Sequence, residues 1–306
     1  MKITVAIATT GRPAMLGEAL RDLARQTRLP DRMIVSAAVA EDVIAADLTS
    51  GPVPVELIFG RRGTTVQRNA VLDALENEDI VLFLDDDFMM GADFLAGMDR
   101  LFRDHPEISV ATGHVLADGI KTAGITAPEA LSLLAGHAAR PLPHDDRLIP
   151  VNNGYGCNMA FRCAPIRDHK LRFDENLPLY AWLEDVDFSR KVARYGTCVQ
   201  AMALYGVHLG IKGGRTSGIR LGYSQIANPV YLLAQGTMTR GHVCRMIARN
   251  LSANAAKSLR PEPWVDRRGR LRGNFLALAD LIRGRIAPGN VMKIGPNAGR
   301  GPDVRR

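Results

Sequence analysis

The chain is poor in cysteine and in the motifs built on it. Cys157, Cys163, Cys198 and Cys244 form no C-x-x-C pair and no zinc-ligand spacing. That excludes a zinc ribbon and a disulfide-stapled scaffold, and it reads as buried thiols in a reduced, cytoplasmic chain. No stretch approaches the roughly 18 uninterrupted apolar residues of a membrane span. The apolar run after Met1 is too short for a signal peptide and reads as a first strand. There is no G-x-x-x-x-G-K-[ST] loop, no G-x-G-x-x-G after that strand, no H-E-x-x-H and no G-x-S-x-G. Kinase, NAD-enzyme, zinc-protease and serine-hydrolase classes therefore lose their usual support. Past residue 240 the only aromatics are Trp264 and Phe275, too few for a base-stacking surface, so nucleic acid is not the expected partner.

What is present is unevenly distributed. Residues 1–239 carry 24 Lys and Arg against 28 Asp and Glu, whereas residues 240–306 carry 15 against 4. The formal charge of +7 thus belongs to the tail, whose partner should be anionic. The first 113 residues alternate strand and helix patterns. Apolar runs at 3–8, 33–35, 55–59, 80–84 and 108–112 read as strands. Leu16, Leu20 and Leu23 after Pro13, Val66, Ala70, Val71 and Ala74 after Thr64, and Phe94, Leu95, Met98, Leu101 and Phe102 recur at helical spacing. This order predicts an α/β fold: a doubly wound, mostly parallel sheet with helices on both faces. Ligands of such sheets sit beyond the carboxyl ends of the strands. Residues 114–235 are less regular, with a helix over 184–195 stopped by Gly196. Residues 236–306 read as a basic helical extension whose last dozen residues are disordered.

The strongest chemical signal is Asp85-Asp86-Asp87 at the end of an apolar strand. In extended backbone Asp85 and Asp87 point to one side and Asp86 to the other. Like charges this close call for a cation, and hard oxygen ligands suit Mg²⁺ or Mn²⁺. A solvated acidic turn is the plain alternative. In Trp182-Leu183-Glu184-Asp185-Val186-Asp187, placed on a helix, Asp187 has an i,i+4 partner in Lys191 and so a structural explanation. Asp185 shares the packed face with Phe188 and Val192, and either caps the helix or points into a site as a general base. Arg68, near a helix start, is either a surface residue or a fork for phosphate oxygens. Lys212 and Arg215 in the glycine-rich segment 208–218 could wrap a diphosphate. His208 is either structural or an imidazole ligand.

Together these residues resemble the family 2 glycosyltransferases of GT-A fold. The matching parts are Ile7-Ala8-Thr9-Thr10-Gly11-Arg12, Gln67-Arg68-Asn69-Ala70, Leu84-Asp85-Asp86-Asp87, Gly156-Cys157-Asn158-Met159-Ala160-Phe161-Arg162 and Glu184-Asp185-Val186-Asp187, in the family's order over about residues 1–215. The resemblance implies a metal-dependent, inverting transfer of a sugar, hexosyl-type, from a nucleotide-diphosphate sugar, UDP-linked by preference, to an acceptor hydroxyl. It implies that Thr9, Gly11 and Arg12 hold the base, that Arg68, Asp86, Lys212 and Arg215 lie along the nucleotide and diphosphate, and that Asp85 meets the ribose. It assigns Asp87, assisted by His208, to the metal and Asp185 to the base, with Asn158, Trp182 and Glu184 by the acceptor or donor sugar. Many members end the second strand in an acid that meets the uracil; here the stretch is Ser36-Ala37-Ala38-Val39-Ala40, with Glu41 beyond.

The segments then read as a nucleotide-sugar-binding half (1–113), an acceptor-binding and catalytic half (114–235) and the basic extension (236–306). In the extension Phe275, Leu278, Ala279 and Ile282 make an apolar stripe among Arg267, Arg268, Arg270, Arg272, Arg283 and Arg285. Such a helix either lies on an anionic membrane surface or packs on the catalytic domain or on a second copy in a homodimer. The membrane reading places the chain in the cytoplasm, peripheral on the inner face of the cell membrane, with a glycan or lipid-linked oligosaccharide of bacterial surface polysaccharide synthesis as acceptor. The competing class is a catalytically inactive GT-A-like module that docks on membrane or RNA.

Overall fold

The computed structural model describes residues 1–139, 145–211 and 216–295. Lys212, Arg215 and residues 296–306 lie outside the described residues. The chain forms two compact units, residues 1–173 with 188–214, and residues 174–187 with 215–306. They interleave along the sequence, whereas composition marks three consecutive segments.

In the first unit β1 (Ile3–Thr9), β2 (Arg32–Ala37), β3 (Val55–Phe59), β4 (Ile80–Leu84), β5 (Phe88–Met90), β6 (Ile108–Asp118), β7 (Leu148–Pro150), β8 (Asn158–Arg162) and β9 (Thr197–His208) make one sheet. The order is β3-β2-β1-β4-β8-β6-β9-β5, with β7 also on β9. β1, β2, β3 and β4 are mutually parallel. β8 runs antiparallel to both β4 and β6, and β9 is parallel to β6. Six strands therefore share one direction, and the carboxyl ends of β1, β4, β6 and β9 fall on one edge. The expected α/β, mostly parallel sheet is what the chain forms.

Both faces are covered, which is why β4 is apolar at every position. On one face Ile3, Val5, Ile7 and Leu82 pack with Leu16, Leu20 and Leu23 of α1 (Pro13–Leu23) and with Phe94, Leu95 and Met98 of α4 (Phe94–Asp104). On the other, Ala6, Val81 and Phe83 pack with Val71 and Leu72 of α3 (Thr64–Ala74). β6 runs six residues past the Thr112 at which the apolar pattern stops. Register shifts at Gly113/His114 and Val115/Ala117 break the alternation there. Cys157, Cys163 and Cys198 are buried, as expected, but Cys244 is exposed. Burial pushes the Cys163 and Cys198 thiols up to about 12, so neither is a thiolate near neutral pH.

The second unit holds α8 (Gly218–Ala234), α9 (Arg240–Lys257), α10 (Arg267–Ile282) and the first turn of α7 (Glu184–Val192). α8 and α10 meet through glycine. A Cβ on Gly222 would strike the Arg270 backbone, and one on Gly273 the Ile219 carbonyl oxygen. At the centre Asn254 Nδ2 donates to Gln225 Oε1 and Asn274 Oδ1 at 2.8 and 2.9 Å. The apolar stripe of α10 divides, with Leu278 packed inward against the cluster of Tyr223 and Val291. The helix's inward face is Gly269, Gly273, Asn274 and Ala277, whereas Phe275 and Ile282 are 58% and 86% exposed. Only small residues fit so close an approach to α8, and Phe275 and Ile282 are turned outward. Among the described residues no helix is long and apolar enough to cross a membrane.

Candidate active site

The site in the first unit is built from strand ends. β1 ends in Thr9, and Gly11, at φ 68°, turns the chain into α1 with Arg12 at its N-terminus. Positive φ is a conformation glycine adopts without steric cost. The Gly11 N–H donates to Asp42 Oδ1 at 2.5 Å, while Ala38 and Val39 donate to Asp42 Oδ2, each at 3.0 Å. One buried carboxylate thus ties the turn after β1 to the loop after β2. Gln67 adds a second tie, its Nε2 donating to the carbonyls of Thr9 and Ser36, both at 2.8 Å.

The three aspartates stand in a turn past the end of β4, closed by the Asp85 carbonyl accepting the Phe88 N–H at 3.2 Å, and their side chains diverge. Asp86 is buried: Oδ2 accepts from Thr9 Oγ1 at 2.8 Å and Oδ1 pairs with Arg12 Nη2 at 2.6 Å. Burial pushes its carboxyl up to about 7 although Arg12 opposes the shift. Asp85 and Asp87 turn the other way, toward His208 at the end of β9. One ligand atom from each of the three lies within 4.8 Å of the others. Asp87 Oδ2 accepts the Ile211 N–H at 2.9 Å and pairs with Arg12 Nη1 at 3.5 Å, and Oδ1 lies 3.4 Å from His208 Nε2. Burial raises the Asp87 carboxyl, but the hydrogen bond and charge of His208, with Arg12, outweigh it and hold the group below its usual value.

Arg68 is not a surface residue. Its side chain is 3% exposed, its guanidinium stands 5.8 and 5.6 Å from the Phe83 and Phe173 ring centroids, and Nη2 reaches Asp85 Oδ1 at 3.3 Å and the Gly156 carbonyl at 3.1 Å. Asn158 is fully buried. Its Oδ1 accepts from Thr112 Oγ1 at 2.9 Å and from the Gly113 N–H at 2.5 Å, bracing β8 against β6.

In the second unit the segment before α7 is bent. Leu179, Ala181 and Leu183 have φ of 58°, 49° and 78°, a conformation costly for residues with a Cβ. Ala181, Leu183 and Val186 are buried with Leu177, Leu232, Met238 and Val243, which offsets the strain. Glu184 is buried, and Trp182 is half-buried with its carbonyl accepting from Asn228 Nδ2 at 2.6 Å. Asp185 is half-buried, and its Oδ1 accepts the Val186 N–H at 2.8 Å, so it does cap the helix start in part. Asp187 is buried and accepts from Thr237 Oγ1 at 2.9 Å, a structural tie the Lys191 spacing does not reveal.

The whole-chain similarity follows this geometry. TarS 1–349 of S. aureus in complex with UDP-GlcNAc matches with a TM-score of 0.58 at 16% identity, over 92% of this chain and 81% of that one. The mannosyltransferase PcManGT from Pyrobaculum calidifontis, in complex with GDP-Man and Mn²⁺, matches with a TM-score of 0.56 at 16% identity, over 95% of this chain and 78% of that one. The chain has a glycosyltransferase fold. It spans 55% of full-length TarS. No protein-family model and no curated protein matches its sequence.

Two carboxylates and one imidazole at one strand edge form a donor set that fits a divalent cation of the Mg²⁺ or Mn²⁺ class. Sequence reasoning missed Asp42, Asp118 and Tyr155, and it placed Gln67 in a motif without a role. Asp118 gave no signal, since the apolar pattern stops at 112 and only the structure carries β6 on to the edge that residues 85–87 share. Asp42 stands one residue beyond the Glu41 that reading along the second strand reaches first.

Proposed function

We propose that the protein is a divalent-metal-dependent, inverting glycosyltransferase of the family 2 type. It moves a hexosyl group from a nucleotide-diphosphate sugar, UDP-linked by preference, to an acceptor hydroxyl. The observation that carries this reading is the convergence of Asp85, Asp87 and His208 beside Arg12 at the carboxyl edge of a glycosyltransferase-type sheet. When bound, the cation supplies positive charge against the diphosphate leaving group.

The chain's own residues do the rest. The turn of Thr9, Gly11 and Arg12, fixed by Asp42 and Gln67, receives the nucleotide base in residues 1–113. Arg68 holds Asp85, whose carboxylate can offer one oxygen to the cation and the other to the ribose, and Asp86 keeps Arg12 in place. Lys212 and Arg215 are assigned to the diphosphate. In the acceptor half, 114–235, Asp185 takes the proton of the acceptor hydroxyl while Trp182 and Glu184 line the sugar or acceptor position. The acceptor oxygen attacks the anomeric carbon from the face opposite the nucleotide, so configuration inverts and no enzyme nucleophile is required. The outward Phe275 and Ile282 among arginines favour a lipid-linked oligosaccharide as acceptor, met at the inner face of a bacterial membrane during surface polysaccharide synthesis.

Thermal-shift measurements with UDP-GlcNAc and GDP-Man, with and without Mn²⁺, should identify a stabilising donor. With that donor Asp185→Asn should abolish transfer and leave nucleotide-sugar binding near wild type. Unchanged turnover rejects Asp185 as the base, and a retained anomeric configuration in the product rejects inversion. No transfer and no donor hydrolysis with any nucleotide sugar would favour the inactive docking module.

A further inference from the structure

His208 is held from both sides. Asp118 and His208 are register partners where β6 and β9 end, so the strands themselves deliver the imidazole to the carboxylate. His208 Nδ1 lies 2.9 Å from Asp118 Oδ1, and the other oxygen, Oδ2, accepts from the Tyr155 hydroxyl at 3.1 Å. The Tyr155 ring stands at 89° to the imidazole with centroids 5.9 Å apart, which limits rotation of the His208 ring. Asp118 is 12% and His208 6% exposed in their side chains. Lys121 Nζ, 3.8 Å from Asp118 Oδ2, is 80% exposed and adds little.

An ionised carboxylate only accepts hydrogen bonds. The proton of this contact must therefore sit on Nδ1, which leaves Nε2 as the atom turned toward Asp85 and Asp87. Carboxylates behind metal-bound histidines fix tautomer and ring orientation in the same way. Nothing in the sequence motifs marks Asp118 or Tyr155, and neither belongs to the acidic run, the arginine fork or the Glu184-Asp185 pair.

We propose that Asp118, braced by Tyr155, is a positioning residue that locks His208 with Nε2 facing Asp85 and Asp87, so that the three groups are set for a divalent cation before it arrives. The proposal rests on the metal reading of the site.

Mn²⁺ alone, titrated into the full chain and followed by electron paramagnetic resonance, measures the affinity directly. Asp118→Asn should weaken Mn²⁺ binding about 10- to 100-fold, and Tyr155→Phe should weaken it less, in the same direction. In ¹⁵N-histidine-labelled, Mg²⁺-saturated protein the His208 ring should report a protonated Nδ1, and Asp118→Asn should shift that signal toward a tautomer mixture. His208→Ala is the control for the site. If it loses Mn²⁺ while Asp118→Asn and Tyr155→Phe bind as wild type, the bracing role is overturned and the metal reading stands. If His208→Ala itself binds as wild type, both fall. Should Asp118→Asn fail to fold, an unchanged affinity and an unchanged His208 signal in Tyr155→Phe overturn the proposal.

Discussion

The Arg68 guanidinium meets Asp85 Oδ1 at 3.3 Å while it stands over the Phe83 and Phe173 rings. One face of that cation is spent on aromatic surface and one nitrogen on a carboxylate of the acidic cluster, so Arg68 couples the core beneath α3 to the site. Lysine offers neither the planar fork nor the stacking. Arg68→Lys should lose about 1.5–3 kcal/mol in urea unfolding, the range for a hydrogen bond to a charged group, and should weaken Mn²⁺ binding as Asp85 loses its anchor. A variant as stable as wild type would show the slot to be permissive.

Much of this arrangement was legible beforehand because it lies at strand ends. The unbroken apolar run of β4 announced a strand covered on both faces, and its stop at three aspartates announced the edge. Alternation separated Asp86 from Asp85 and Asp87; the structure separates them too, but by a turn over 85–88 and not by extended backbone. What stayed hidden depends on contacts distant in sequence. Asp118 lies behind register shifts that erase the strand pattern. Asp42 acts through backbone N–H groups, which leave no trace in side-chain spacing. The α10 stripe left its readings open because spacing does not show which face packs, and here glycine against glycine makes the closest approach.

Metal-free protein should be sensitive to alkali through His208. Burial disfavours its charge, but the hydrogen bonds to Asp118 and Asp87 outweigh that and push its pKa up to about 10. The folded value lies above the unfolded one of about 6.5. The stabilisation is therefore complete below about pH 6.5 and is lost as pH climbs toward 10. After chelation, the melting temperature of the wild type should fall between pH 7 and 10 more steeply than that of His208→Gln. Parallel curves would remove the imidazolium from the account. Asp87 and Asp118, both held low despite burial, act at the other end, and their contribution disappears as pH falls below about 4.

Strain before the proposed base gives a test in the opposite sense. Ala181 is buried at φ 49°, and removing its Cβ relieves the left-handed conformation at the loss of a single methyl contact. Ala181→Gly should leave stability unchanged or raise it by up to about 1 kcal/mol, with the added freedom of the unfolded chain setting the limit. If the segment 179–183 holds Asp185 in place, turnover should fall although stability does not. Equal loss of both would mark the loop as packing alone.

The outer face of α10 separates folding from docking. Arg268, Arg272, Phe275, Ile282 and Arg283 recur at i, i+4, i+7, i+14 and i+15, one side of a helix, and all five are exposed. Two copies of this chain meeting there by a two-fold axis would press arginine on arginine, whereas anionic lipid complements the charge and accepts the side chains of Phe275 and Ile282. Phe275→Ser combined with Ile282→Ser should abolish binding to vesicles rich in anionic lipid while leaving the melting temperature unchanged. Arg272→Gln or Arg283→Gln should each weaken that binding about fivefold, the equivalent of roughly 1 kcal/mol per arginine, and added salt should shrink the difference. Gly273→Leu should do the reverse, unfolding the α8–α10 contact whatever the lipid. If the serine pair binds vesicles like the wild type, or if wild type sediments as a dimer that the serine pair dissolves, the face serves a second copy and not a membrane.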